Sequence, residues 1–168
     1  MNRLPILIAA LLVSGFFIYN ACVKPPNYPD EPVIAFKSQS KNIMQQGKQG
    51  EDSMTITLTY TDGDGDLGFP GNDSEPSIFV KDGRDGFPRF QYKLPYVEPQ
   101  GTGNGISGEI SIVVPTACCI ENSQGVVLSC DEVDIDRDTL VYLLTIKDRA
   151  GHVSNEIQTN PIVLICKQ

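Results

Sequence analysis

Apolar and polar residues alternate with a period of two over residues 53–61, and this pattern constrains the fold more than any other feature. Met54, Ile56, Leu58 and Tyr60 are each followed by a threonine. Because successive side chains of a β-strand point to opposite faces, the alternation predicts a strand with one buried and one outer face. The β-branched threonines suit the outer face of such a strand.

Similar short apolar runs recur along the chain and are separated by turn-forming residues. The other predicted strands cover residues 32–37, 77–81, 89–94, 110–114, 125–129, 140–146 and 156–165. Clusters of Gly, Pro, Asn and Asp lie between them, and no long segment has the period of a helix. This pattern predicts an all-β fold, an antiparallel immunoglobulin-like β-sandwich, with a closed barrel as the structural alternative.

The N-terminal segment has the layout of a bacterial lipoprotein signal peptide. A basic start containing Arg3 precedes an apolar stretch over residues 4–19, and Ala21 stands directly before Cys22. This order resembles the lipobox, in which the cysteine becomes the lipidated N-terminus, although Tyr19 occupies a position that is usually aliphatic. An uncleaved membrane helix is the alternative, but 16 apolar residues fall short of the roughly 20 that span a bilayer.

Cleavage before Cys22 divides the chain into three parts. We expect a signal peptide over residues 1–21, the lipidated Cys22 with a Pro-rich tether over 22–32, and one sandwich domain over 33–168. A single acyl chain binds membranes only marginally, so stable anchoring implies several acyl chains. The sequence therefore predicts an outer-membrane lipoprotein, and it leaves open whether the domain faces the periplasm or the cell surface.

The charge of the mature chain limits its partners. Removing residues 1–21 takes away one of 13 basic residues and none of 21 acidic ones, which leaves 12 − 21 = −9. Nucleic acids and anionic lipids attract positive protein surface, so the charge argues against both as partners. The remaining expected partners are the membrane, through the lipid on Cys22, and an envelope protein or an extracellular glycan.

Four cysteines remain for the folded domain once Cys22 carries lipid. They are Cys118, Cys119, Cys130 and Cys166. An even number in an exported domain predicts two disulfides, and neighbours on a strand point to opposite faces, which disfavours a bond between Cys118 and Cys119. Two pairings stay open, 118–130 with 119–166 or 118–166 with 119–130. A zinc site is disfavoured because the chain has no CxxC spacing and one histidine.

The run DGDGDLG contains the most concentrated chemistry of the chain. Asp62, Asp64 and Asp66 alternate with glycines that permit tight or left-handed turns. Clustered carboxylates repel one another unless a cation neutralises them, and hard oxygen ligands suit calcium. The spacing fits an EF-hand loop only in part, because Leu67 replaces the glycine and a strand leads into the loop. The alternative is a solvated Asp/Gly turn between strands.

The predicted topology brings a fourth carboxylate to this loop. If residues 54–61 form strand B and residues 140–147 strand F, the acidic loop is B–C and the DRAGH turn is F–G. Both loops emerge at the same end of an immunoglobulin-like sandwich. We therefore expect Asp148 to join Asp62, Asp64 and Asp66 in a structural calcium site, with Asn155 offering a further oxygen.

Two motifs resemble those of a group of uncharacterised lipoproteins of the Bacteroidota. They are TYTDGDGDLG over residues 59–68 and LTIKDRAGHVSNEIQT over residues 144–159. In that group, DGDGDIG-like and DRAGN-like motifs punctuate an immunoglobulin-like sandwich. The resemblance implies the fold and an envelope location, and it implies no activity. His152 stands where the second motif usually has Asn, so we assign it no ligand role.

No catalytic residue is predicted, and the chain is expected not to be an enzyme. Ser107 lies in GISG, which lacks the spacing of a nucleophile elbow, and His152 is expected to be an exposed turn residue. We expect a membrane-anchored, calcium-stabilised module with a binding or structural role. The alternative is an extracellular polymer-degrading hydrolase or its carbohydrate-binding accessory.

Overall fold

The computed structural model describes residues 27–47, 51–71, 73, 75–98, 105–120, 130 and 134–166. Its strands are β1 Val33–Gln39, β2 Ile43–Gln45, β3 Ser53–Asp62, β4 Ile78–Asp82, β5 Pro88–Tyr92, β6 Ile106–Pro115, β7 Arg137–Leu140, β8 Tyr142–Ile146, β9 Ile157–Gln158 and β10 Ile162–Ile165. The predicted signal peptide, Cys22 and the strand predicted over 125–129 lie outside the described residues. Among those described, no helix has the length and apolar character of a membrane span.

The strands form an antiparallel sandwich with immunoglobulin-like strand order. One sheet has the order β1-β3-β6, a second β5-β4-β8-β9 and a third β2-β10-β7. Only Val141 separates β7 from β8, so one chain path links the second and third sheets. All pairs are antiparallel except β2 with β10. Labelled as A-B-E against C′-C-F-G, this order confirms the predicted fold class.

Strand β3 is the centre of its sheet and shows why the alternation was a reliable signal. It pairs with β6 over its whole length, from Ser53 opposite Pro115 to Asp62 opposite Ile106. Ile56 and Leu58 are fully buried and join a single core cluster with side chains of β8 and β10. Asp62 has the same parity as these residues, so it continues the core-facing row and is itself fully buried.

Two predicted strands are interrupted in the structure. The strand predicted over 140–146 is divided at Val141, and the one predicted over 156–165 is divided between β9 and β10. Pro161 lies in the second interruption, where a missing N–H cannot contribute to a ladder. Strand β2 was not predicted, because three residues are too few to show a period.

The disulfides follow one of the two pairings that the sequence left open. Cys118 is bonded to Cys130, and Cys119 to Cys166, with Cα atoms 4.9 and 5.8 Å apart. The second bond is buried, and Gln46 supports it from both sides. The Gln46 Oε1 accepts the amide of Cys119, and its Nε2 donates to the carbonyl of Cys166. The second disulfide thus joins the segment after β6 to the end of β10.

Candidate metal site

The four predicted aspartates lie together at one end of the sandwich. Asp62 ends β3, Asp64 and Asp66 follow in the next loop, and Asp148 comes two residues after β8. Each offers a carboxylate oxygen, and these oxygens all lie within 4.8 Å of one another. The loops after β3 and β8 therefore emerge at the same end, as the predicted B–C and F–G assignments require.

The acidic loop is closed by its own first carboxylate. Asp62 Oδ2 accepts the backbone amide of Asp66 at 3.0 Å, which turns the chain back on itself after β3. Gly65 and Gly68 have φ angles of 70° and 72°, in the left-handed region that glycine enters without a steric penalty. The alternation of Asp and Gly thus gives the loop both its hydrogen-bond acceptors and its turns.

Direct hydrogen bonds hold the acidic loop against the hairpin that follows β8. Asp66 Oδ2 accepts the amide of Ala150 at 2.9 Å, and Oδ1 accepts that of Arg149 at 3.3 Å. The Arg149 guanidinium donates to the carbonyls of Leu67 and Gly68, at 3.0 and 2.7 Å. The two loops are therefore docked by groups of the protein itself, and an ion would enter a site whose walls are already in contact.

His152 contacts the acidic cluster, a feature that the sequence analysis missed. Its backbone amide donates to Asp148 Oδ1 at 2.8 Å, and its Nδ1 lies 2.9 Å from Asp148 Oδ2. The hydrogen bond and the charge of Asp148 raise the pKa of His152. His152 is a partly exposed turn residue, as expected, and it is also a neighbour of the site. The i,i+4 spacing of Asp148 and His152 in DRAGH was the available signal for this contact.

The side-chain amide of Asn155, which was expected to offer a further oxygen to the site, is hydrogen-bonded to the backbone of β1. Its Oδ1 accepts the backbone amide of Ile34, and its Nδ2 donates to the carbonyl of the same residue, both at 2.9 Å. These two bonds pair the amide with the backbone of β1. Asn155 therefore fixes the first strand to the hairpin.

Asp62 is the electrostatic centre of the cluster. Its side chain is fully buried, and its Oδ1 has no hydrogen-bond partner within the described residues. Burial and the charge of Asp64 raise the pKa of Asp62 to about 7. Burial and the charges of Asp148 and Asp64 also raise the pKa of Asp66. A buried acceptor without a partner is costly, so a proton, a water molecule or a cation would stabilise this oxygen.

The donor set of the site is made of oxygen alone, which suits hard cations rather than soft ones. Asp64 is exposed and opens the cluster to solvent, whereas Asp62 and Asp148 are buried. The arrangement could hold a metal ion at the junction of two loops. Comparison with known proteins adds no assignment, because no protein-family model, curated protein or solved structure matches the chain.

Proposed function

We propose that the protein is an outer-membrane lipoprotein whose exported domain is a non-enzymatic, calcium-stabilised module with a binding or structural role. One observation carries the calcium part of this proposal. The fully buried Asp62 Oδ1 has no described hydrogen-bond partner and lies among three further carboxylates. A cation at that position would satisfy the buried oxygen and reduce the repulsion within the cluster.

The size of the cluster is compatible with calcium. Calcium binds oxygen at 2.3–2.6 Å, so oxygens on opposite sides of the ion are about 5 Å apart. No two of the four carboxylate oxygens are more than 4.8 Å apart, so all four can surround one calcium ion. Magnesium would need opposite oxygens at about 4.2 Å in near-ideal octahedral geometry. Four aspartates supply four ligands, and further carboxylate oxygens, backbone carbonyls or water would complete a calcium shell.

The hydrogen bonds of the cluster support a structural role for the ion. Asp62 and Asp66 accept backbone amides of their own loop and of the neighbouring hairpin, and Asp148 is held by His152. These carboxylates therefore already fix the loop geometry. A bound ion would add to a scaffold that holds two loops and the start of β1 at one end of the sandwich.

Calcium is expected to raise the thermal stability of the mature protein. A ligand that binds only the folded state adds about 2.7 kcal/mol at 100 times its dissociation constant. Melting temperatures with calcium and with chelator, together with calorimetric titration, measure this effect. We choose pH 8, which lies above the raised pKa of Asp62, so that protons compete little with the ion. An unchanged melting temperature and no heat of binding at millimolar calcium would reduce the acidic loop to a turn.

Matched variants locate the binding site and test the proposal against catalysis. Asp64→Asn should weaken calcium binding. Asp134→Asn is the matched control, because it removes one charge from an exposed position just before the start of β7, and it should leave calcium binding unchanged. Screening against a glycan array and chromogenic esters and glycosides completes the test. Reproducible turnover that Asp64→Asn abolishes would replace the structural role with a hydrolytic one.

The lipid anchor is tested separately by Cys22→Ser. The variant is expected to lose acyl labelling and to release the domain from the membrane fraction, because the modified cysteine is the proposed attachment point. Metabolic fatty-acid labelling and membrane fractionation measure the two effects. Membrane retention of an unacylated wild-type chain would indicate an uncleaved N-terminal helix instead.

A further inference from the structure

The last residues of the proposed tether lie against the acidic loop. The amide of Gly63 donates to the carbonyl of Pro29 at 2.8 Å. A Cβ atom at Gly63 would come within 2.4 Å of the Tyr28 carbonyl oxygen, so the two backbones touch. A Cβ atom at Gly105 would meet the Tyr28 ring and the Asp62 carbonyl oxygen, each at 2.8 Å. The contact therefore depends on glycines beside the first carboxylate of the site.

The chain stays attached to the same end of the sandwich as it enters β1. Pro32 is buried, and the backbone of Ile34 is bonded through both its amide and its carbonyl to Asn155. Residues 28–34 are thus held by the acidic loop on one side and by the hairpin after β8 on the other. These are the two loops that supply the four aspartates.

The charge of the tether explains how an ion would strengthen this contact. Glu31 is exposed and comes two residues after Pro29, whose carbonyl accepts the amide of Gly63 in the acidic loop, so its charge lies close to the cluster. Without an ion, the aspartates repel Glu31. A bound divalent cation weakens that repulsion, because its positive charge offsets part of the negative charge of the four carboxylates.

We propose that calcium binding fastens residues 28–32 to the acidic end of the sandwich and so sets how far the domain stands from the membrane. This inference rests on the proposed function, both for the ion and for the lipid on Cys22. With the tether docked, the six residues 22–27 span at most about 20 Å. Release of residues 28–32 would add about 17 Å. By linkage, a docked tether raises calcium affinity by the factor with which calcium favours docking.

The test measures tether motion and calcium binding in the same sample, the mature lipoprotein in detergent micelles. The ¹⁵N heteronuclear NOE of Tyr28, Asp30 and Glu31 should match that of β3 with calcium and fall towards values of mobile chain with chelator. Gly63→Ala keeps all four aspartates and displaces the tether. Its NOE values should be low in both conditions, and its calcium affinity should fall at least about fivefold.

A second variant leaves the acidic loop untouched. Glu31→Gln should lower calcium affinity about two- to fivefold, since it removes one negative charge at the edge of the site, and Asp134→Asn should not. If calorimetry shows calcium binding while the tether stays equally rigid with chelator, the inference is overturned and the proposed function stands. If calcium does not bind, the proposed function fails first. Unchanged affinity in both Gly63→Ala and Glu31→Gln would also overturn the inference.

Discussion

Replacing Arg84 with methionine is expected to destabilise the protein by about 3–5 kcal/mol, because it leaves a buried carboxylate without its main counter-charge. Asp82 is fully buried, and its two carboxylate oxygens accept hydrogen bonds from Arg84 Nε and Nη2 at 2.9 and 2.5 Å. Although burial opposes ionisation, the bonds and the charge of Arg84 lower the pKa of Asp82. Methionine keeps an apolar stem of similar length and removes these bonds.

The same guanidinium also connects distant parts of the fold. Its Nη1 donates to Asp138 Oδ2 at 2.5 Å and to the carbonyl of Cys118 at 3.1 Å. Arg84 therefore joins the β4–β5 hairpin to β7 and to the segment that follows β6. Losing Arg84 removes a hydrogen-bond donor from three groups at once, namely the carboxylates of Asp82 and Asp138 and the carbonyl of Cys118. The expected loss of stability therefore exceeds that of an ordinary ion pair.

Urea unfolding with Lys37→Met as the matched control measures this effect. The pair of Lys37 with Glu109 is about half exposed on both sides, so its loss should cost less than about 1 kcal/mol. Adding Asp82→Asn to Arg84→Met should recover part of the stability, because the buried charge is then gone. Equal losses in Arg84→Met and Lys37→Met would show that the buried network contributes no more than an exposed pair.

The period-two alternation was enough to predict the all-β class and the strand that the structure places at the centre of the β1-β3-β6 sheet. It works for β3 because each second side chain enters the core, and a register slip would expose the entire row. The same parity carries Asp62 into the buried face, one residue beyond the predicted strand end. The burial of the first carboxylate was therefore implicit in the pattern that defined the strand.

Hydrogen bonds between residues far apart in the chain were much harder to predict from the sequence. Asn155 is an ordinary polar residue of a hairpin in the sequence, and its role appears only when β1 lies beside it. Arg84 likewise stands in a Gly/Asp turn, which predicts a solvated loop, yet its side chain is only 12% exposed and lies between Asp82 and Asp138. Asn155 makes two of these bonds to Ile34, and Arg84 makes one to Asp138; in all three the partners lie more than 50 residues apart in the sequence. A local sequence pattern therefore cannot predict them.

Removing the Cys119–Cys166 disulfide by a double alanine substitution is expected to cost about 4 kcal/mol in the free energy of unfolding, against about 3 kcal/mol for Cys118–Cys130. In the chain-entropy description, the cost grows with the length of the loop that the bond closes in the unfolded chain. The two bonds span 47 and 12 residues, respectively. The buried position of Cys119 and Cys166 adds to the difference, since alanine leaves their site underfilled.

Denaturant unfolding of the two double variants, with peptide mapping of the oxidised wild type, decides the matter. A map with Cys118–Cys166 and Cys119–Cys130 would contradict the pairing, and an equal or larger loss for the Cys118–Cys130 variant would contradict the ranking.

Calcium affinity provides an internal control. Cys166 follows the end of β10 that pairs with the start of β7, whereas Asp148 follows the far end of β8. Both variants should therefore keep wild-type calcium affinity at temperatures well below their melting points, because the lost cross-links lie at the opposite end of the sandwich from the acidic loop.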